Sequence, residues 1–344
     1  MAWQKFLFVV IYLTKLRQVY RKKMFISKNS IKEAGKKLRD GIETNKDLDL
    51  ILTFRTNHIS IMATLANTIA KKLPKPQLLS RRLKRLSSIR IKLKRNSGVQ
   101  LSTMQDIAGL RAIFKDKNEV YAFLNAVRKA YKSKKAVLQI IRENDYIKDP
   151  KQDGYRSYHL VFEYQGTKEY IKGYKIELQL RTLLQHYWAT AVEIMGAIDN
   201  TNNIKIGKGS AEIKRFFYLA GLILDDNATN KEKEEFKKLD KEYKILNLLS
   251  GLNVSYDLVQ KNYKPKIKDL FVISLDYQRK KLKISKFDEN DRQDNLSFLG
   301  LELDEERINS VIINGASIAK IKRAYPNYFL DAQNFIKNIQ VKLK

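Results

Sequence analysis

Apolar residues recur every three or four positions between residues 28 and 72. The pattern is clearest over 48–73, where Leu48, Ile51, Leu52, Ile59, Met62, Leu65, Ala66 and Ile69 share helical spacing. Ser30 with Glu33 three positions on reads as a capping box. His58 lies inside the helical pattern as a structural residue, and Pro74 ends it, because proline has no N–H to donate. The period then changes. Residues 104–114 read as a turn feeding a buried strand, 118–132 as a helix and 136–141 as a strand. Residues 175–182 alternate strictly, with Ile176, Leu178 and Leu180 pointing one way and Glu177, Gln179 and Arg181 the other.

Helical spacing returns at Leu184, Trp188, Ala191, Met195 and Ile198, a stripe expected in the core, and a polar loop over 201–209 follows. Further helices are expected over 210–225 and 231–247; the charges of 231–244 alternate as on a solvated face. Segments 271–275 and 281–284 form an expected hairpin, with polar loops and then a terminal helix over 316–343 interrupted at Pro326. The order of elements predicts an α+β fold, a mixed β-sheet flanked by helices. It divides into an N-terminal helix or extension (1–27), a main domain (28–225), a helical linker (226–262) and a small α/β module (263–344).

Composition narrows the partners. The chain of 344 residues holds 67 Lys+Arg against 37 Asp+Glu, a net charge of +30, which favours a polyanionic partner. Cysteine is absent, so disulfides and thiolate zinc sites are excluded, and the three histidines (58, 159 and 186) cannot build a metal cage alone. The apolar run from Phe6 to Leu13 falls far short of the ~20 residues that span a bilayer. It reads as a docking helix or an upstream extension, with Met24 as a second start, and the protein is expected in the cytoplasm.

Three stretches carry candidate chemistry. The run 81–95 interleaves basic, hydroxyl and apolar groups, as suits a loop-to-helix phosphate cradle. Asp106 and Arg111 flank and enter an apolar strand, where they need partners. The row Glu177, Gln179, Arg181 repeats every ~6.5–7 Å along one strand face and lies close in sequence to Tyr155, Arg156 and His159.

Together these stretches resemble the RelA/SpoT synthetase domain, over roughly residues 30 to 225. Arg82-x-Lys84-x-x-x-Ser88-Ile89-x-x-Lys92 is similar to its ATP-binding loop and Asp106-x-x-x-x-Arg111 to its metal-aspartate strand. Gly154-Tyr155-Arg156-Ser157-x-His159 followed by Glu177-x-Gln179-x-Arg181-Thr182 is similar to its acceptor and catalytic strands. The resemblance implies transfer of the β,γ-pyrophosphate of ATP to a ribose 3′-hydroxyl. Asp106 and Glu177 would be the Mg²⁺ ligands, and Glu177 would also activate the attacking hydroxyl. Arg82 and Arg111 would sandwich the adenine. Lys84, Ser88 and Lys92 would hold the polyphosphate, with Gln179 and Arg181 beside it. Tyr155 would stack on the acceptor base, with Lys151, Arg156 and His159 around it. His186 is expected to be structural.

The family's hydrolase His-Asp pair is absent, and the helix ending around Glu193 departs from the Trp-Ala-x-x-Glu-His of small stand-alone synthetases. Tyr325-Pro326-Asn327-Tyr328 in a cysteine-free C-terminal module resembles the fused toxin–antitoxin CapRel branch of the toxic small alarmone synthetases. That resemblance implies a pseudo-zinc-finger without zinc, with Tyr325 and Tyr328 covering the ATP site until a phage capsid protein binds. The acceptor would be the tRNA 3′-CCA end, or GDP or GTP if the chain is a conventional alarmone synthetase. A monomer is expected.

Overall fold

The computed structural model describes residues 25–198, 210–251, 255–258, 270–276, 279, 281–287, 308–314 and 318–344. The expected N-terminal docking helix, the loop over 201–209 and the linker's end at Asn262 lie outside the described residues.

The first long helical pattern folds as two helices, α1 (Lys28–Asp40) and α2 (Asn45–Lys72). Gly41 ends α1 with φ 75°, and Thr44 starts α2 with a capping box to Asp47. The expected box at Ser30 is corrected: Ser27 is the N-cap, its hydroxyl accepting from the Ser30 N–H, and Glu33 pairs with Lys36. His58 is fully buried and donates from Nδ1 to the Phe54 carbonyl at 2.7 Å.

The basic run starts as a strand, β1 (Leu78–Leu83), and only then becomes helix α3 (Leu86–Arg95). Next come β2 (Ala108–Phe114), α4 (Lys117–Ala130), β3 (Leu138–Asp145), β4 (Tyr158–Tyr164), β5 (Lys175–Thr182) and α5 (Leu183–Ile198). Helices α6 (Ala211–Leu224), α7 (Asn230–Tyr243) and α8 (Ile245–Ser250) follow. On α7 only Phe236 is buried, as its charge pattern requires. The C-terminal part holds β6 (Ser255–Leu258), β7 (Leu270–Asp276), β8 (Lys281–Phe287) and β9 (Ile308–Asn314). It ends in α9 (Ile318–Ala324), a 3₁₀ turn (Pro326–Phe329) and α10 (Gln333–Lys342), so the expected terminal helix is broken at Pro326.

One mixed sheet runs β3-β4-β5-β2-β1-β9-β7-β8-β6. β2–β5 and β6–β8 are parallel, and the other paired strands are antiparallel. β7 and β8 form the expected hairpin, whereas β9 occupies a stretch expected to be polar loop and continues the sheet from β1. Ile176, Leu178 and Leu180 of β5 are fully buried in the core between the sheet and helices α2 and α4, which leaves the opposite face of β5 to its polar row. A second core joins α5 and α6 to the C-terminal segment: Trp188, Phe216 and Phe217 share it with Tyr325, Tyr328, Phe335 and Ile339.

Candidate active site

A cleft of about 760 Å³ opens on the polar face of β5. Its walls include Arg82, Lys84, Ser88 and Lys92 from the β1–α3 segment, Asp106 and Arg111 from β2 and its entry, and Glu177, Gln179 and Arg181 from β5. Tyr155, His159 and Lys151 come from the β3–β4 side. The strand pairing accounts for this convergence. Parallel β2 and β5 set Gly109 beside Glu177 and Arg111 beside Gln179, while β4 sets His159 against Gln179.

Asp106 holds two ammonium groups, Lys84 Nζ at 2.9 Å and Lys92 Nζ at 2.8 Å. Burial alone would raise its pKa; Lys84 and Lys92 outweigh that and hold the carboxyl well below the usual carboxylate range. The Lys84 ammonium is itself pushed down by burial. Its backbone is fixed from both sides: Lys84 N–H donates to the Ile107 carbonyl at 2.7 Å, and the buried Arg55 Nε donates to the Lys84 carbonyl at 3.1 Å. Arg55 was invisible as a site residue in sequence, since it lies within the helical pattern of α2.

Glu177 anchors a second chain of hydrogen bonds. Gln179 Nε2 donates to Glu177 Oε2 at 2.7 Å, and His159 Nδ1 lies 2.7 Å from Oε1. The other His159 nitrogen lies 2.8 Å from the Tyr155 hydroxyl, which also accepts from Arg181 at 2.7 Å. Burial disfavours charge on Glu177, yet the His159 hydrogen bond and charge bring its pKa down. Burial would lower His159, but Tyr155 and Glu177 leave it raised. Burial would likewise raise Tyr155, but Arg181 and His159 bring it down to about 8.

Three guanidiniums crowd the far wall. Burial, Arg181 and Arg82 depress Arg111 to about 10. Arg82 is also penalised by burial but is raised by Glu193, followed by Tyr328, Tyr325 and Asp106. Glu193, which lines the cleft from α5, was noted in sequence only as part of a departure from a family ending. Tyr325 closes the back of this wall. It lines a small cavity with Ser80, Arg82, Asp106, Arg111 and Glu177, and its hydroxyl donates to the Arg81 carbonyl at 2.6 Å. Tyr325 and Tyr328 are both buried, their rings 6.4 Å apart and edge to face. His186 is buried and donates from Nε2 to the Arg323 carbonyl at 3.1 Å.

Arg156 does not join the cleft. It is buried on the other side of the loop, donates to the Gly154 carbonyl at 2.9 Å and lies 3.5 Å from Asp225. In extended backbone neighbouring side chains diverge, so Tyr155 and Arg156 cannot share a client. Gly154 has φ 87°, a left-handed conformation that favours glycine, and a Cβ there would meet Tyr218 Cα at 3.1 Å.

The donor set suits Mg²⁺, which takes one or two carboxylates and completes its shell with water and substrate phosphates. Asp106 and Glu177 supply hard oxygens in one cleft, and each raises the cost of ionising the other until a cation intervenes, as the influence of Asp106 on Glu177 indicates. No cluster of three or more His, Asp or Glu side chains that could hold a metal occurs among the described residues.

The family profile described as "Region found in RelA / SpoT proteins" matches residues 81–195, which hold every residue named above as a wall of the large cleft. The chain is similar to GTP pyrophosphokinase YjbM of Bacillus subtilis (strain 168), 38% identical over 114 residues, covering 32% of this chain and 51% of that protein. It is also similar to GTP pyrophosphokinase YwaC of the same organism, 34% identical over 119 residues, covering 32% and 52%. The chain thus spans about half the length of the curated relatives it matches. Among solved structures, it is similar to a GTP pyrophosphokinase family protein from Streptococcus pneumoniae, 29% identical, TM-score 0.37, covering 55% of this chain and 89% of that one. The matched segment ends before α6, so the C-terminal strands and the Tyr325–Tyr328 turn lie beyond it. No helix among the described residues is long and apolar enough to cross a membrane.

Proposed function

We propose that the chain is an ATP-dependent pyrophosphokinase that transfers the β,γ-pyrophosphate of ATP to the 3′-hydroxyl at the CCA end of tRNA. The observation that carries this reading is the pairing of two carboxylates, Asp106 and Glu177, in one cleft walled by lysine and arginine. Phosphoryl transfer needs positioning and neutralisation of developing charge more than covalent help, and this wall supplies both. Arg82 and Arg111 hold the adenine between guanidinium planes. Lys84, Lys92 and Ser88 take the polyphosphate, the two ammonium groups turning from Asp106 onto it. Mg²⁺, held by Asp106 and Glu177, would neutralise charge on the phosphates. Glu177 accepts the proton of the attacking hydroxyl, and Tyr155 stacks on the acceptor base.

The formal charge of +30 supports a tRNA acceptor, because a nucleic-acid backbone rewards many Lys/Arg contacts. Tyr325 and Tyr328 pack behind Arg82, so we read the C-terminal module (263–344) as a built-in inhibitor of the ATP side. Its release by a phage capsid protein completes the proposal, as a cytoplasmic defence acting on translation. The second reading is an alarmone synthetase using GDP, GTP or an adenine nucleotide, favoured by the names of the two Bacillus relatives.

The test incubates the full chain and its Tyr325→Ala variant with γ-³²P-ATP and either deacylated tRNA or GDP. Label on tRNA is expected. Label on GDP alone would transfer the proposal to the second reading.

A further inference from the structure

The edge strand β3 changes face within its length. Leu138 and Ile140 pair with Tyr164 and Phe162 and pack on the core side. A bulge at Ile141 inserts one residue, after which Arg142 stands against Val161 and Asn144 against His159, both cleft residues. Without that extra residue Arg142 would continue the core-side phase. Bulges beside functional sites serve to re-aim side chains in this way. Tyr146 follows at the same spacing, and all three side chains line the cleft. The row Arg142, Asn144, Tyr146 thus runs ~13 Å along the sheet edge, at about 6.5 Å per step. Tyr146 is its inner end, 5.2 Å from the His159 ring and 6.2 Å from the Tyr155 ring.

The space between the two tyrosines is occupied by the chain itself. Lys151 Nζ lies 4.5 Å from the Tyr146 ring centroid and 5.0 Å from that of Tyr155. One cation, reaching in from the 150–153 turn, therefore caps both rings on the cleft side.

We propose that Arg142, Asn144 and Tyr146 form a second nucleotide subsite, which binds the residue on the 5′ side of the acceptor in a single-stranded RNA end. This rests on the pyrophosphokinase reading only for polarity: the acceptor 3′-hydroxyl faces Glu177, so the strand leaves along β3. Tyr146 stacks on the preceding base, Asn144 meets a base edge, and Arg142 holds a phosphodiester. Lys151 moves from the rings to the linking phosphate. A free mononucleotide fills only the Tyr155 position. The row therefore makes an oligonucleotide end a better ligand than a nucleotide, a distinction the Glu177 strand cannot make.

The test is fluorescence anisotropy with a 5′-labelled single-stranded RNA tetramer ACCA, on the full chain and on Arg142→Ala, Tyr146→Ala and Tyr146→Phe. Arg142 is exposed, so its variant tests the subsite without disturbing the core. Each alanine variant is expected to weaken tetramer binding about tenfold, with Tyr146→Phe retaining the wild-type value because the ring is kept. Unchanged affinity in both alanine variants would overturn the subsite. Label transfer measured on the same variants carrying Tyr325→Ala as well separates the two proposals. Transfer with binding indifferent to Arg142 rejects the subsite and keeps the activity. Arg142-sensitive binding without any transfer keeps the subsite and rejects the activity.

Discussion

His159 bridges Glu177 and Tyr155, with its Nδ1 2.7 Å from the carboxylate and its Nε2 2.8 Å from the phenol. One ring therefore joins the proposed base to the proposed acceptor platform. A proton on the imidazole is shared between two acidic partners, which is why His159 is raised despite burial. Replacing His159 with alanine leaves the Glu177 carboxylate held by Gln179 alone and the Tyr155 hydroxyl held by Arg181 alone. The expected result is a kcat lower by ~10²-fold with a smaller change in the KM for ATP. Steady-state kinetics of label transfer check it; a raised KM with kcat unchanged would assign His159 a role in binding only.

Tyr325 is tied to the ATP side by hydrogen bonds to Ser80 and to the Arg81 carbonyl and by burial. Tyr325→Phe removes the bond to the Arg81 carbonyl, a loss of about 1 kcal/mol, while Tyr325→Ala also empties the aromatic site at about 3–5 kcal/mol. Under the inhibition proposal, basal transfer rises in both variants without any trigger, more in the alanine. Activity assays paired with thermal melts test this. A folded Tyr325→Ala chain no more active than wild type would remove Tyr325 from the inhibitory contact.

Two buried histidines make the fold sensitive to acid. Burial depresses His58 to about 4, and burial with Arg111 and Arg181 depresses His186 to about 3. Below pH 6.5 the unfolded chain binds protons that the folded chain refuses, so stability falls as pH falls toward those folded values. For His58 alone the loss amounts to roughly 3 kcal/mol by pH 4. His58→Phe is expected to flatten the pH dependence of urea-melt stability between pH 6.5 and 4 by about one proton. Parallel curves for the two chains would contradict the assignment.

Strand β5 was legible because it buries one face completely: strict alternation placed Glu177, Gln179 and Arg181 together, and they line one cleft. The spacing of Lys84, Lys92 and Asp106 also read through, although their mutual ion pairs did not. Other features were hidden for physical reasons. β1 carries Arg81 and Arg82 inside a strand because its neighbours β2 and β9 satisfy its backbone, and no local signal announces that. β9 lay within an expected loop for the same reason, since its pairing with β1 and β7 is long-range. The bulge at Ile141 reverses the phase of β3 and so concealed Arg142 and Asn144 from any periodic reading. Arg156, adjacent to Tyr155 in sequence, points to Asp225 instead of the cleft.

The central claim is that two phosphates move together. The most direct measurement separates the nucleotides formed when the Tyr325→Ala chain is incubated with γ-³²P-ATP and deacylated tRNA. The account predicts AMP accumulating one for one with label on tRNA, no ADP, and neither product from a Glu177→Gln chain carrying the same Tyr325 change. ADP in place of AMP, or undiminished transfer after Glu177→Gln, would contradict it.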